Sequence, residues 1–272
     1  SNAAIGVCVQ DALTAHGLPA GAAAVLADST RQEVQALLGA VGQVDLVIPR
    51  GGAGLMKIID RYARVPVIRH GQGSSQVYIA EHADAERAIN IAYDAKVNRP
   101  GVCNAMETLI VHRSQTDVLS ALGAALRDAK VELRVAGHAA ATLAQKDIDT
   151  VDATEVDWAT EFLGPTLAVR TVDSLDEALA HIERFGTHHS AAIVTEDEPE
   201  AQAFLRAVDA SCVLWNASTR FNDGGELGLG AEMGISTSKM HAYGPMALRE
   251  LTAEKFVVHG QGHTRGPRLR RE

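Results

Sequence analysis

Short apolar runs alternate with amphipathic runs along most of the chain, and this alternation limits the possible folds more than any other feature. The apolar runs have the length of strands, and glycine-containing loops join them to the amphipathic runs. We predict strands at residues 22–27, 45–50, 65–69, 76–80, 108–112, 131–135, 167–172, 190–195, 212–216 and 252–259. Strands that alternate with helices are typical of an α/β fold with a mostly parallel sheet.

The amphipathic runs carry recognisable helix ends. Apolar side chains recur at helical spacing over residues 5–17, where a glycine ends the pattern. Capping boxes open two further helices, Thr30 with Glu33 and Ser174 with Glu177. The other predicted helices cover residues 55–62, 84–98, 117–128 and 199–208.

The composition narrows the class of protein. The 272 residues are 46% hydrophobic, which supports a large core, and the formal net charge of -9 argues against a nucleic-acid or membrane-surface protein. Three cysteines, Cys8, Cys103 and Cys212, are typical of a reducing cytoplasm rather than of a disulfide framework. The histidines and cysteines show no metal-ligand spacing. The first three residues, Ser-Asn-Ala, resemble the remnant of a cleaved tag and are left out of the fold prediction.

Cys103 is the candidate nucleophile. Pro100 and Gly101 break the helix over residues 84–98, and the cysteine follows them just before a predicted strand. Arg99, or a helix beginning after Pro100, would favour the thiolate, which is the reactive form. The alternative is a small buried cysteine without chemistry.

Two loops are candidate binding sites. Residues 51–54, Gly-Gly-Ala-Gly, follow a predicted strand and open a helix, which suits a phosphate at a helix N-terminus as well as a simple tight turn. The irregular residues 218–243 form a segment too long to be a plain connection. Arg220 at its start is suited to a phosphate or carboxylate, although a surface loop is the alternative.

Several longer strings resemble the gamma-glutamyl phosphate reductase branch of the aldehyde dehydrogenase superfamily. The string at residues 96–108 reads KVNRPGVCNAMET and resembles the active-site segment of that branch. Further matching strings lie at residues 45–55, 189–193, 216–221 and 228–246. The resemblance extends from residue 4 to about residue 259. It implies an aldehyde dehydrogenase-like fold of two Rossmann-like lobes with parallel sheets, the first lobe being incomplete here.

The resemblance also implies a reaction. Cys103 would attack L-glutamyl 5-phosphate, expel phosphate and form a thioester, which NADPH would reduce to L-glutamate 5-semialdehyde in the second step of proline biosynthesis. Hydrolytic relatives carry a general-base glutamate at the start of residues 69–73. No carboxylate occurs there in this chain, which fits a reductase that must protect its thioester from water.

Binding roles carry over by the same resemblance. NADPH would contact Gly51, Gly52 and Gly54, and also Glu161, although Glu161-Phe162-Leu163-Gly164-Pro165 has one residue more than the family motif. The expected substrate-binding residues are Arg99, Asn104, His189 and Arg220.

The expected organisation follows the family as well. Residues 4–100 would be the C-terminal part of the NADP-binding domain, 101–240 the catalytic domain, 241–259 a return segment with an oligomerisation strand, and 260–272 a disordered tail. The family extends further at its N-terminus, so we expect a shortened chain that binds NADPH poorly and turns over slowly or not at all. The missing part would hold the oxyanion-hole asparagine, whose loss alone costs roughly 10²–10³ in rate.

Other expectations and alternatives remain at this point. The full-length protein would be a homo-oligomer, with a functional link to glutamate 5-kinase. A non-catalytic nucleotide-binding or oligomerising module, and an aldehyde dehydrogenase of other specificity, are the competing interpretations. An inert, buried Cys103 would alkylate as slowly as Cys8 and Cys212, whereas a nucleophile would alkylate faster.

Overall fold

The computed structural model describes residues 1–26, 30–68 and 73–266. The α-helices in these ranges are α1 (Asn2–Ala15), α2 (Arg31–Gly39), α3 (Ala53–Tyr62), α4 (Ala85–Val97), α5 (Thr116–Asp128), α6 (His138–Ala144), α7 (Glu155–Trp158), α8 (Leu175–Phe185) and α9 (Glu198–Ala207). The β-strands are β1 (Ser75–Ile79), β2 (Met106–His112), β3 (Glu132–Ala136), β4 (Val151–Asp152), β5 (Thr166–Val172), β6 (Ser190–Val194), β7 (Cys212–Trp215), β8 (Gly234–Ser236) and β9 (Gly244–Met246). None of these helices has the length and apolar character needed to cross a bilayer.

The chain divides into two compact units, residues 1–70 and 71–272. The sequence predicts a boundary near residue 100, but β1 hydrogen-bonds to β2 and to β6, so residues 75–79 belong to the same sheet as the later strands. The division of binding and catalysis between the two parts of the chain stays a prediction.

The first unit contains α1, α2 and α3, of which α2 and α3 pack around a small core of Leu38, Ile59 and Val67. The predicted strands at residues 45–50 and 65–69 were wrong as full strands, because their described residues form only the parallel bridge between Val47 and Val67. Prolines at positions 49 and 66 lack the N–H that a longer ladder needs. The predicted strand at residues 22–27 is also absent from its described part, which begins in a 3-10 turn, Ala20–Ala22.

The second unit is a three-layer α/β structure. Seven strands form a fully parallel sheet in the order β4-β3-β5-β2-β1-β6-β7. Side chains alternate across this sheet: Val77 and Ile79 join the core under α4, α5 and α6, whereas Tyr78 joins the core under α8 and α9. The predicted α/β class is therefore confirmed. The central strand of the sheet is β2, and α4 precedes it along the chain.

The helix caps follow the sequence closely. Thr30 Oγ1 accepts from the Glu33 N–H at 3.3 Å and the Glu33 carboxylate accepts from the Thr30 N–H, so the predicted capping box of α2 is confirmed. Ser174 Oγ accepts from the Glu177 N–H at 3.2 Å at the start of α8, but the Glu177 carboxylate accepts from the Asp173 N–H, so only half of this predicted capping box forms. Local side chains thus determine where these helices begin.

The predicted strand at residues 252–259 was wrong. These residues have no ladder partner among the residues described, and Phe256 and Val258 are almost fully exposed. A strand requires a neighbour for its backbone N–H and C=O groups, and apolar alternation alone does not supply one. The strands nearest to this segment in sequence are β8 and β9, which form an antiparallel pair with each other.

Shortening the α5 side chain Leu122 should destabilise the second unit. Leu122 is 0% exposed in the larger core, so Leu122→Ala is expected to lower the free energy of unfolding by about 2–5 kcal/mol. Urea unfolding followed by tryptophan fluorescence measures this change, because both tryptophans, Trp158 and Trp215, lie in the second unit. The control Leu248→Ala removes the same atoms from a side chain that is 78% exposed, and equal losses in the two variants would contradict the assignment of the core.

Candidate active site

Cys103 lies at the amino-terminal edge of the parallel sheet. It precedes β2, while Gly73 precedes β1, His189 precedes β6 and residues 161–165 precede β5. The strands β5, β2, β1 and β6 are consecutive neighbours in the sheet, so these segments meet along one edge. Ligands of open α/β sheets commonly bind at the carboxyl edge, and the candidate site of this chain lies at the opposite one.

A turn, rather than a helix, carries Cys103. The Ala105 N–H donates to the Val102 carbonyl at 3.0 Å, and the cysteine is half-buried. No α-helix begins between α4 and β2 in this described stretch, so the helix considered after Pro100 does not form. Its N–H groups therefore do not contribute to activation of the thiol.

The backbone of Gly73 packs directly against Cys103. A Cβ atom placed on Gly73 would lie 2.3 Å from the Cys103 carbonyl oxygen and 2.9 Å from its Cα and Cβ atoms. Ser75 Oγ donates to the same carbonyl at 3.1 Å. Position 73 therefore admits only glycine while Cys103 stays where it is. Residues 69–72, which the family comparison relates to the general-base position, lie outside the described residues.

Hydrogen bonds of Asn104 connect the cysteine turn to the loop after β7. Its Nδ2 donates to the Asn222 carbonyl at 3.0 Å and to the Arg220 carbonyl at 3.4 Å, and Thr219 Oγ1 donates to the Asn104 carbonyl at 2.7 Å. Asn104 is buried, and its Oδ1 has no partner in the described part of the chain. The amide nitrogen therefore holds loops together, while a substrate contact of Asn104 stays a prediction.

His189 belongs to the same network through its backbone and ring. Its carbonyl accepts from Asn222 Nδ2 at 3.3 Å, and its Nδ1 lies 2.8 Å from Ser190 Oγ and 3.5 Å from Ser75 Oγ. Burial lowers the pKa of His189 to about 4, so the imidazole is neutral near pH 7. A role in the pocket would therefore be that of a neutral hydrogen-bonding group and not of a cation.

A cavity of about 390 Å³ adjoins His189 on the face covered by α8 and α9. Glu183 and Asp209 line it, and no Lys or Arg is among the described residues of its wall. This cavity is therefore not suited to a phosphate.

The two predicted arginines differ in their surroundings. Arg220 is half-buried beside the Asn104 contacts, and its buried Nε has no partner among the described residues. Arg99 is exposed on the segment that enters the cysteine turn. Arg220 is thus the better-placed cation for an anionic ligand, and the ligand role of both stays a prediction.

The predicted cofactor residues lie in different units. Gly52 is the N-cap of α3, and among the described residues no side chain caps this helix. A Cβ atom on Gly52 or Gly54 would meet nothing within 4 Å in the described structure, which leaves room for a phosphate at the helix N-terminus. Glu161 lies in the second unit, half-buried in the turn before β5. These residues fit a dinucleotide chemically, and their binding role stays a prediction.

Local sequence patterns missed several residues of this site. Gly73, Ser75 and Asn222 shape the cysteine turn, and Lys96 and Glu107 form a buried pair beside it. The small residues before β1 were one available signal, since they permit close packing of the backbone. A charged Glu107 inside an apolar strand was another, because buried charges are normally paired. No group of three or more His, Cys, Asp or Glu side chains within the described ranges could hold a metal ion.

Substitution of Gly73 tests the packing around Cys103. Gly73→Ala forces a Cβ atom into the cysteine backbone, and we expect the free energy of unfolding to fall by about 1–3 kcal/mol in urea denaturation. The rate of alkylation of Cys103 by iodoacetamide should change in the same variant.

A glycine of the same turn provides the control for this substitution. A Cβ on Gly101 would meet only the Leu163 carbonyl oxygen, at an ordinary 3.7 Å. Gly101→Ala should therefore leave both measurements near those of the parent chain. A Gly73→Ala variant as stable as Gly101→Ala would show that the close approach is not required.

Comparison with known proteins identifies relatives of this chain. The chain is 49% identical over 268 residues to a gamma-glutamyl phosphate reductase of Salinibacter ruber, covering 98% of this chain and 61% of the relative. It is 50% identical over 267 residues to the gamma-glutamyl phosphate reductase of Sorangium cellulosum, covering 97% and 61% respectively. The chain thus spans about three fifths of the length of the curated relatives it matches.

A solved structure and a family model extend the comparison. The crystal structure of gamma-glutamyl phosphate reductase from Thermotoga maritima matches with a TM-score of 0.89 and 40% identity, covering 97% of this chain and 63% of that one. The model of the aldehyde dehydrogenase family matches residues 1–151 and 148–257, nearly the whole sequence. The chain belongs to the aldehyde dehydrogenase family.

Proposed function

We propose that this sequence carries the catalytic cysteine of an enzyme that reduces L-glutamyl 5-phosphate to L-glutamate 5-semialdehyde and phosphate with NADPH, the second step of proline biosynthesis. The observation that carries the proposal is the half-buried Cys103 turn at the sheet edge, in a chain 49% identical to a relative named gamma-glutamyl phosphate reductase. Competing roles as a plain binding module leave this constrained cysteine unexplained.

The first chemical step belongs to Cys103. Its thiolate attacks the acyl carbon of L-glutamyl 5-phosphate, a carbon–sulfur bond forms, and the carbon–oxygen bond to phosphate breaks with release of inorganic phosphate. The product is a thioester on Cys103, which separates a difficult reduction into two easier steps. Gly73 and Ser75 hold the cysteine backbone on one side and Asn104 on the other, so the sulfur is kept in a defined place.

The residues that would hold the cofactor are Gly51, Gly52 and Gly54 at the start of α3 and Glu161 before β5. Bound there, NADPH would supply the hydride that reduces the thioester carbon. Cys103 would then leave as its thiolate when the carbon–sulfur bond breaks, and the semialdehyde would be released. Residues 69–73 contain no carboxylate, so this stretch has no counterpart of the general-base glutamate with which hydrolytic relatives activate water against the thioester.

Binding of the anionic substrate falls to the residues around the cysteine turn. Arg220, whose buried Nε has no partner in the described ranges, is proposed to take the phosphate or the α-carboxylate, since a guanidinium offers directed N–H donors to such oxygens. Arg99 is proposed to attract the same anion from its exposed position. The neutral His189 and the buried Asn104 would shape the pocket without adding charge.

The proposal also covers the cellular setting of the protein. The sparse, odd cysteine count supports a cytoplasmic location. A homo-oligomeric full-length protein and a functional link to glutamate 5-kinase, whose acyl phosphate product would be the substrate, complete the proposal.

Phosphate-dependent reduction of NADP with L-glutamate 5-semialdehyde tests the proposed reaction in its reverse direction. We expect Cys103→Ser to abolish any NADP reduction that the chain supports, because the thioester cannot form. Cys212→Ser is the matched control and should retain the rate, since burial raises the pKa of that thiol and disfavours its thiolate.

Two outcomes of this assay would contradict the proposal. NADP reduction that persists in Cys103→Ser would remove the nucleophile from its role. Reduction that is independent of phosphate would indicate an aldehyde dehydrogenase of other specificity.

A further inference from the structure

A fully buried ion pair lies beside the cysteine turn. Lys96 Nζ donates to Glu107 Oε2 at 2.6 Å, and both side chains are 0% exposed. Lys96 is in α4, which leads into the Cys103 turn, and Glu107 is in β2, which leaves it. A buried ion pair is often no more stabilising than an apolar pair of similar volume. The pair therefore calls for an explanation other than stability.

The second carboxylate oxygen of Glu107 contacts a segment that is distant in sequence. Glu107 Oε1 accepts from the Leu163 N–H at 3.1 Å, within the turn of residues 161–165 that precedes β5. Leu163 has a φ of 51°, in the left-handed region that non-glycine residues rarely adopt, and its side chain is half exposed. The hydrogen bond from the Leu163 N–H to the buried Glu107 carboxylate contributes to holding this conformation.

The 161–165 turn lies against the cysteine turn and near the pair. A Cβ atom on Gly101 would be 3.7 Å from the Leu163 carbonyl oxygen. The Phe162 ring centroid lies 6.0 Å from Lys96 Nζ and 5.4 Å from Arg134 Cζ. The charge of Glu161 is close enough to raise the pKa of Glu107. Lys96 thus faces the Glu107 carboxylate and the Phe162 ring from one buried position.

The hydrogen bond from the Leu163 N–H to Glu107 forms whether Lys96 or Glu107 carries the proton between them. Burial raises the pKa of Glu107 to about 7 and lowers the pKa of Lys96. In either protonation state a Glu107 oxygen keeps a lone pair for the Leu163 N–H.

We propose that Lys96 and Glu107 are positioning residues, which hold the 161–165 turn against the Cys103 turn through the Leu163 N–H. The consequence rests on the proposed function: Glu161, the proposed cofactor contact, is kept at a fixed place relative to the sulfur. Lys96 contributes by orienting the buried carboxyl group that receives this N–H.

Two double variants separate the acceptor from the charges. Lys96→Met with Glu107→Leu removes both charges and the acceptor, whereas Lys96→Met with Glu107→Gln removes the charges and keeps a carbonyl oxygen. Amide hydrogen exchange at Leu163, measured by NMR, should accelerate at least tenfold in the leucine variant and return to within threefold of the parent in the glutamine variant. The dissociation constant for NADPH should rise at least fivefold in the leucine variant and recover with glutamine.

Equal protection of Leu163 in the two double variants would overturn the proposal, and so would an unchanged NADPH affinity in the leucine variant. If the leucine variant does not fold, the glutamine variant still decides, because loss of its Leu163 protection would contradict the role of the acceptor oxygen. Alkylation of Cys103 is measured alongside. A parent chain with unreactive Cys103 would count against the proposed function, whereas unchanged exchange at Leu163 would count against the positioning role.

Discussion

The contact between the Gly73 backbone and Cys103 determines the rest of the candidate site. A Cβ on Gly73 would lie 2.3 Å from the Cys103 carbonyl oxygen. Because glycine has no Cβ, the chain before β1 can pack directly against the cysteine turn. Ser75 then reaches the same carbonyl, and its hydroxyl also lies 3.5 Å from His189 Nδ1. Because Gly73 has no side chain, the segments that precede β1, β2 and β6 can pack together at one place.

Further hydrogen bonds hold the cysteine turn on the side opposite Gly73. Asn104 and Thr219 connect the cysteine turn to the loop after β7, and Asn222 connects that loop to His189 and Ser190. These side chains are buried, so each bond is made where water cannot compete for it. The cysteine is consequently held by a network in which most members act on backbone atoms, including the Arg220 carbonyl that accepts from Asn104.

The sequence was sufficient for six of the seven strands of the parallel sheet, whereas the role of Cys103 as a nucleophile stays a prediction. Apolar runs predicted β1, β2, β3, β5, β6 and β7 to within about two residues, and side-chain caps located the starts of α2 and α8. The same apolar signal failed at residues 252–259 and in the first unit, because a strand exists only with a partner, and prolines at positions 49 and 66 limit the one pairing that forms. Partners lie far away in sequence, so local pattern cannot supply them.

The supporting residues of the site were hidden for the same reason. Ser75 and Cys103 are 28 positions apart, Asn104 and Asn222 are 118 apart, and Glu107 and Leu163 are 56 apart. Only the strand order brings them together along one sheet edge. Family resemblance identified residues expected to touch ligands, whereas the residues that hold those in place became visible only through packing and hydrogen bonds.

Cys103 is proposed to accept an acyl group from an acyl phosphate. Incubation of the chain with acetyl phosphate, followed by peptide mass spectrometry and a phosphate-release assay, measures this step without a nicotinamide cofactor. We predict one acetyl group on Cys103, release of an equal amount of phosphate, and loss of both in Cys103→Ser. An unmodified Cys103, or equal modification of Cys8, Cys103 and Cys212, would contradict it.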